Sequence, residues 1–90
     1  MANNWQDLPV LVTGAGGFIG SRLVQRLAEQ GAKVRAFVRY NSRADFGLLK
    51  QLSPQTLAQL ELIAGDLRDS HALAHAVKGV ELVFHLGALL

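Results

Sequence analysis

The sequence predicts an α/β fold, a doubly wound parallel sheet cut short after its fourth strand. Three observations predict it. Apolar runs suited to buried strands alternate with segments of helical spacing. A glycine-rich turn, Thr13 to Gly20, joins the first run to the first helical segment. The last apolar run lies close to residue 90, so its strand is expected to form an open edge that further strands should cover.

Leu8 to Thr13 reads as a buried strand, because Val10, Leu11 and Val12 are apolar on both faces. Gly14 to Gly17 breaks it. Over Phe18 to Gln30 the residues Ile19, Leu23, Val24 and Leu27 recur at helical spacing, and Gly31 stands just past the expected helix end. Lys33 to Arg39 is rich in β-formers and runs into a polar loop, Tyr40 to Asp45. A short helix is expected around Phe46 to Leu52. Ser53-Pro54 then reads as an N-cap and a proline at N1, opening one or two more turns.

Leu60 to Ala64 reads as a third strand ended by Gly65. Asp69 is an N-cap for a helix over Ser70 to Lys78 with Leu73, Ala76 and Val77 inward. Val80 to Leu86 is a fourth strand, apolar on both faces. Such alternation implies parallel strands, right-handed crossovers and helices on both sides. In the Rossmann arrangement the strand order is 3-2-1-4, with strand 4 at the edge. Residues 1–90 are therefore expected to be the amino-terminal part of a Rossmann domain. Alone, such a piece is expected to aggregate or pack loosely.

Composition narrows the function. Half the residues are hydrophobic and 18% are charged, a globular balance. The net charge of +2 is small and the signs are interleaved. Arg35, Arg39, Arg43 and Lys50 lack the interleaved aromatics of a nucleic-acid surface, so no nucleic-acid partner is expected. There is no cysteine, which excludes disulfides, thiolate catalysis and cysteine-held metals. His71 and His75 lie four apart without an evident third ligand, so no metal is expected. The amino terminus lacks a basic n-region and an apolar run of the roughly 7–15 residues that a signal needs, so a cytoplasmic protein with no membrane partner is expected.

The chemistry lies in the turn Gly14-Ala15-Gly16-Gly17-Phe18-Ile19-Gly20. A helix leaving such a turn presents unpaired amides and the positive end of its dipole, where a pyrophosphate can bind. Gly14 would allow the tight turn, Gly17 the approach of the phosphates, and Gly20 the packing of helix on strand. Gly16, Phe18 and Ile19 complete the candidate phosphate turn. The spacing is G-x-x-G-x-x-G. About twenty residues on, where an NAD site carries an acidic residue, this chain has Arg39, followed by Arg43 in the same loop. A guanidinium pairs with a 2′-phosphate through charge-assisted hydrogen bonds. NADP is therefore expected to be favoured, with NAD possible.

The segments VLVTGAGGFIGSRLVQRLAEQGAKVRAFVR, GDLRD and GVELVFHLGA resemble the amino-terminal part of the extended short-chain dehydrogenase/reductases. More narrowly they resemble nucleotide-sugar epimerases and 4,6-dehydratases, and the loop VRYNSRADFGLL is similar to that of the dehydratases. The resemblance implies that Asp66 and Leu67 contact the adenine, with the Asp66 carboxylate on the exocyclic amine. It also implies that Leu86, Gly87 and Ala88 run beside the nicotinamide ribose, although the family commonly has alanine where Gly87 stands. His85 is expected to be a buried structural histidine.

The family's reaction needs a Tyr-x-x-x-Lys pair, in which the lysine lowers the tyrosine pKa. Here the single tyrosine, Tyr40, is followed four residues on by Ala44, so no catalytic residue is assigned. The chain is expected to be the inactive, cofactor-binding front of a nucleotide-sugar dehydratase or epimerase. The resemblance implies a homo-oligomeric parent, which alone would bind a nucleotide-sugar substrate. The rival reading is a non-catalytic dinucleotide-binding or interaction module complete at residue 90.

Overall fold

A computed structural model describes residues 4–39 and 46–86. Its elements follow the hydrophobic pattern closely. β1 is Pro9–Thr13, α1 is Phe18–Glu29, β2 is Lys33–Arg39, and a 3₁₀ turn covers Gly47–Gln51. Then come α2 (Pro54–Ala58), β3 (Glu61–Gly65), α3 (Ser70–Val77) and β4 (Leu82–His85). The four strands form one parallel sheet in the order β3-β2-β1-β4, as the sequence predicts for a Rossmann-type fold.

β1 lies between β2 and β4, and that position explains its composition. Val10, Leu11 and Val12 are wholly buried, each contributing roughly 1.5–3 kcal/mol by leaving water. On one face Val10, Val12, Val34, Ala36 and Val38 pack against Val24 and Leu27 of α1 and Leu49 of the 3₁₀ turn. On the other, Leu11 and Phe37 pack against Ala76 of α3, bordered by Ile63, Leu67 and Val80. Helices thus cover both faces. Trp5, before β1, is a packing residue, its ring 6.3 Å from that of Phe84.

Ser53 and Asp69 are N-caps, as expected. The Ser53 hydroxyl accepts from the Thr56 amide at 3.2 Å, and the Asp69 carboxylate accepts from the His71 and Ala72 amides at 3.0 and 3.3 Å. Arg35 in β2 spans the sheet end. Its guanidinium donates to the Ala76 and Lys78 carbonyls at 2.9 and 2.6 Å and pairs with Glu61 of β3 at 2.7 Å. A cation there complements the negative end of α3.

The short helix expected around Phe46 to Leu52 forms as the 3₁₀ turn, which begins at a positive-φ glycine, Gly47. β4 is the open edge that the sequence predicts: it pairs on one side only, through β1, and Leu82 and Val83 remain 42% and 49% exposed. Two expectations need correction. Val77 is exposed, because only Ala76 of α3 reaches the second core. His85 is exposed at the end of β4, not buried. Among the described residues, no helix is long and apolar enough to cross a membrane.

Candidate functional site

The site starts where β1 ends. Thr13 is fully buried, and Gly14 then takes φ +65°, a left-handed value that turns the chain sharply away from the sheet. The turn is held from both sides. The Ala15 amide donates to the Phe37 carbonyl of β2 at 3.2 Å, and the Leu48 amide donates to the Gly16 carbonyl at 2.9 Å. Gly17 is the N-cap of α1, and its amide donates back to the Gly14 carbonyl at 3.2 Å.

With glycine at the N-cap, no side-chain oxygen caps α1, and its first turn holds no acidic residue. The first i→i−4 bond runs from the Ser21 amide to the Gly17 carbonyl at 2.9 Å. The amides of Phe18, Ile19 and Gly20 precede it and lie at the positive end of the helix dipole. They open on a cleft of about 330 Å³ lined by Gly14, Gly17, Phe18, Ile19, Gly20 and Leu86. Phe18 and Ile19 are 66% and 70% exposed. Ile19, a candidate residue of the turn, stands at the cleft, because the buried stripe of α1 is Gly20, Ser21, Val24, Leu27 and Ala28. Amides that attract an anion therefore sit beside an apolar rim, which suits a phosphate-bearing ligand with ring systems.

The next strand ends carry the other candidates. Arg39 closes β2 in register with Gly65, the last residue of β3, and is exposed. Asp66 follows directly. Its carboxylate accepts from the Arg68 amide at 2.9 Å, from Arg68 Nε at 3.0 and 3.1 Å, and from Arg68 Nη2 at 2.6 Å. The Arg68 side chain, then its backbone amide, and least the charge of Arg39, hold the Asp66 carboxyl down at about 2. The Asp69 amide donates to the Asp66 carbonyl at 2.9 Å, closing the turn. Leu67 is half-buried under the second core.

The structure thus gathers Gly14, Gly17, Phe18, Ile19, Gly20 and Leu86 at one cleft, with Gly16 behind it against the 3₁₀ turn. Arg39 and Asp66 stand on the adjacent strand ends. Arg43, Gly87 and Ala88 lie outside the described residues. Sequence reasoning missed Arg68, although an aspartate two residues before it in a turn is a signal for this kind of bond. It also missed the partner of Thr13, whose Oγ1 lies 2.9 Å from His85 Nδ1 across the β1–β4 boundary. These groups meet at the carboxyl ends of β1 and β4, where the direction of sheet growth reverses and open α/β sheets bind ligands.

Known proteins are similar to this chain in sequence and fold. The model of the NAD dependent epimerase/dehydratase family matches residues 10–90. The 2-alkyl-3-oxoalkanoate reductase of Stenotrophomonas maltophilia is 42% identical over 81 residues, covering 90% of this chain and 22% of that protein. A short-chain dehydrogenase/reductase superfamily protein of Agrobacterium tumefaciens, solved with bound NAD, superposes with a TM-score of 0.64 at 36% identity. That alignment covers 90% of this chain and 20% of the other. The dTDP-glucose 4,6-dehydratase of Bacillus anthracis, solved with NAD, gives a TM-score of 0.73 at 24% identity over 91% of this chain and 27% of its own. At that identity it supports the fold alone. The chain spans about a fifth of the length of the relative and of the first of these structures.

Proposed function

Because the chain belongs to the NAD dependent epimerase/dehydratase family, we propose that its glycine turn grips the pyrophosphate of NADP in preference to NAD. The observation that carries the grip is the uncapped first turn of α1 opening on the cleft. The residues fit the group. Gly17 leaves the helix start bare of a side chain, and Gly20 lets α1 lie directly on the turn. Asp66 offers an acceptor for the adenine amine, and Arg39, at the end of β2, offers a cation to a 2′-phosphate. Bound there, the nicotinamide supplies a hydride donor or acceptor.

Titrating the protein with NADP⁺ and NAD⁺ tests this. Tighter binding of NADP⁺ is expected. Tighter binding of NAD⁺ overturns the preference, and binding of neither overturns the grip.

For the whole protein the proposal is hydride transfer at a secondary alcohol or ketone carbon. The 42% identity to a 3-oxoalkanoate reductase supports a 3-oxo acyl substrate. The loop VRYNSRADFGLL supports a second reading, a nucleotide sugar, through its likeness to the 4,6-dehydratases. Supplying the whole protein and its cofactor with each substrate class and following the products decides between them, because a reductase consumes reduced cofactor whereas a dehydratase or epimerase returns its hydride to the sugar. Turnover with nucleotide sugars alone would overturn the reductase reading.

A further inference from the structure

Gly16 and Gly17 are adjacent glycines, so the peptide between them can turn over at little steric cost. A half-turn would reverse the Gly16 carbonyl and the Gly17 amide together. It would also carry Gly17 from φ −80° to a positive value, which glycine accepts. Two bonds oppose it. The Gly17 amide donates to the Gly14 carbonyl at 3.2 Å, and the Leu48 amide donates to the Gly16 carbonyl at 2.9 Å. The second bond comes from outside the turn, and it needs glycine on both sides. A Cβ on Gly47, whose φ is +65°, would lie 2.5 Å from the Gly16 oxygen, and one on Gly16 would lie 3.0 Å from the Phe46 oxygen. These obstacles are backbone atoms, so the two segments would have to part.

We propose that Gly47 is a positioning residue for the glycine turn: it lets the Leu48 amide hold the Gly16 carbonyl away from the cleft, where that carbonyl would oppose a bound diphosphate. This rests on the reading of the turn as the pyrophosphate grip. In the reversed peptide the carbonyl would point toward Gly14, on the side of the turn where Gly14 and Gly17 line the cleft. Its negative end would then stand beside the amides that attract the anion. Both nicotinamide dinucleotides carry the same diphosphate, so Gly47 governs affinity for either and not the choice between them. That choice falls to Arg39 at the end of β2.

The test titrates NADP⁺, NAD⁺ and ADP-ribose, which share the diphosphate, into the whole protein and its Gly47→Ala and Gly16→Ala variants. Gly16→Ala parts the same contact from the other side, at a residue without a positive φ, and so serves if Gly47→Ala fails to fold. Each variant is expected to weaken all three ligands by one common factor on the order of fivefold, about the worth of a hydrogen bond. Amide hydrogen exchange is expected to quicken at Leu48 and Gly17 together, while the amides of β1 and β2 stay protected. Ala74→Gly, at an exposed position of α3, is the control for lost stability and should bind all three as the unaltered protein does. Unchanged affinity in the variants, loss of NADP⁺ binding alone, exchange that quickens throughout the sheet, or an equal loss in Ala74→Gly overturns the positioning role. If the unaltered protein binds none of the three ligands, the pyrophosphate grip itself fails, and this role with it.

Discussion

Gly20 in α1 lies against the Gly14 carbonyl so closely that a Cβ at Gly20 would overlap the oxygen, and it would also stand 2.9 Å from the Ala15 Cα. Both obstacles are backbone, so nothing can swing aside. Gly20→Ala is therefore expected to push α1 off the turn and destabilise the fold by about 1–3 kcal/mol, the usual cost of overpacking. Gly17→Ala is a contrasting case. Its backbone, φ −80° and ψ 177°, suits any residue, and a Cβ would meet only the Gly14 carbonyl oxygen at 3.5 Å. Urea unfolding should show Gly17→Ala close to the unaltered protein, while dinucleotide titration shows weakened binding because the methyl occupies the phosphates' approach.

Arg35 ties β2 to the carboxyl end of α3 and to β3. Arg35→Met keeps most of the side-chain stem but removes the donors to the Ala76 and Lys78 carbonyls. A loss of about 1–2 kcal/mol is expected in urea denaturation, since these bonds are charge-assisted and relieve a helix terminus. Glu61→Gln removes only the ion pair, whose carboxylate is 60% exposed, and should change stability by less than about 1 kcal/mol. Equal losses from the two variants would show that the ion pair, not the helix cap, is what matters.

The Asp66 carboxyl is held below its ordinary 3.8, at about 2, by the Arg68 side chain first and its amide second. The folded value is lower than the unfolded one, so the pair's contribution is fully present above about 3.8 and is lost as pH falls through about 2. An NMR titration of the Asp66 carboxyl carbon should give a midpoint near 2. In Arg68→Gln the midpoint should move up toward the ordinary value; a midpoint that stays put would mean that Arg68 is not its cause.

Cofactor choice is expected to follow the residue that ends β2. Arg39→Asp replaces a cation with an acceptor suited to ribose hydroxyls. NADP⁺ affinity should fall on the order of tenfold or more, from lost charge-assisted bonding and new repulsion, while NAD⁺ affinity holds or rises. Fluorescence titration with both dinucleotides measures this. A parallel loss of both would point to a folding defect instead of a change of selectivity.

Much of this was legible in one dimension. β1 reads from Val10-Leu11-Val12 because a central strand buried on both faces tolerates only apolar side chains. The bend at Gly14 and the close packing at Gly20 read from glycine spacing, because no other residue meets both demands. The same reasoning misjudged His85 and Val77, since an apolar neighbourhood in sequence does not say which side another element will cover.

The sequence by itself determined the strand and helix alternation, the strand order that alternation implies, and the place of the glycine turn. These follow from local periodicity and from conformations that only particular residues adopt. The tertiary structure alone decided two other things: that Arg35 would cap a helix 41 residues away, and that Thr13 would meet His85. Each depends on which strand ends come side by side. Polar side chains near a surface have many possible partners along the chain, and folding selects one.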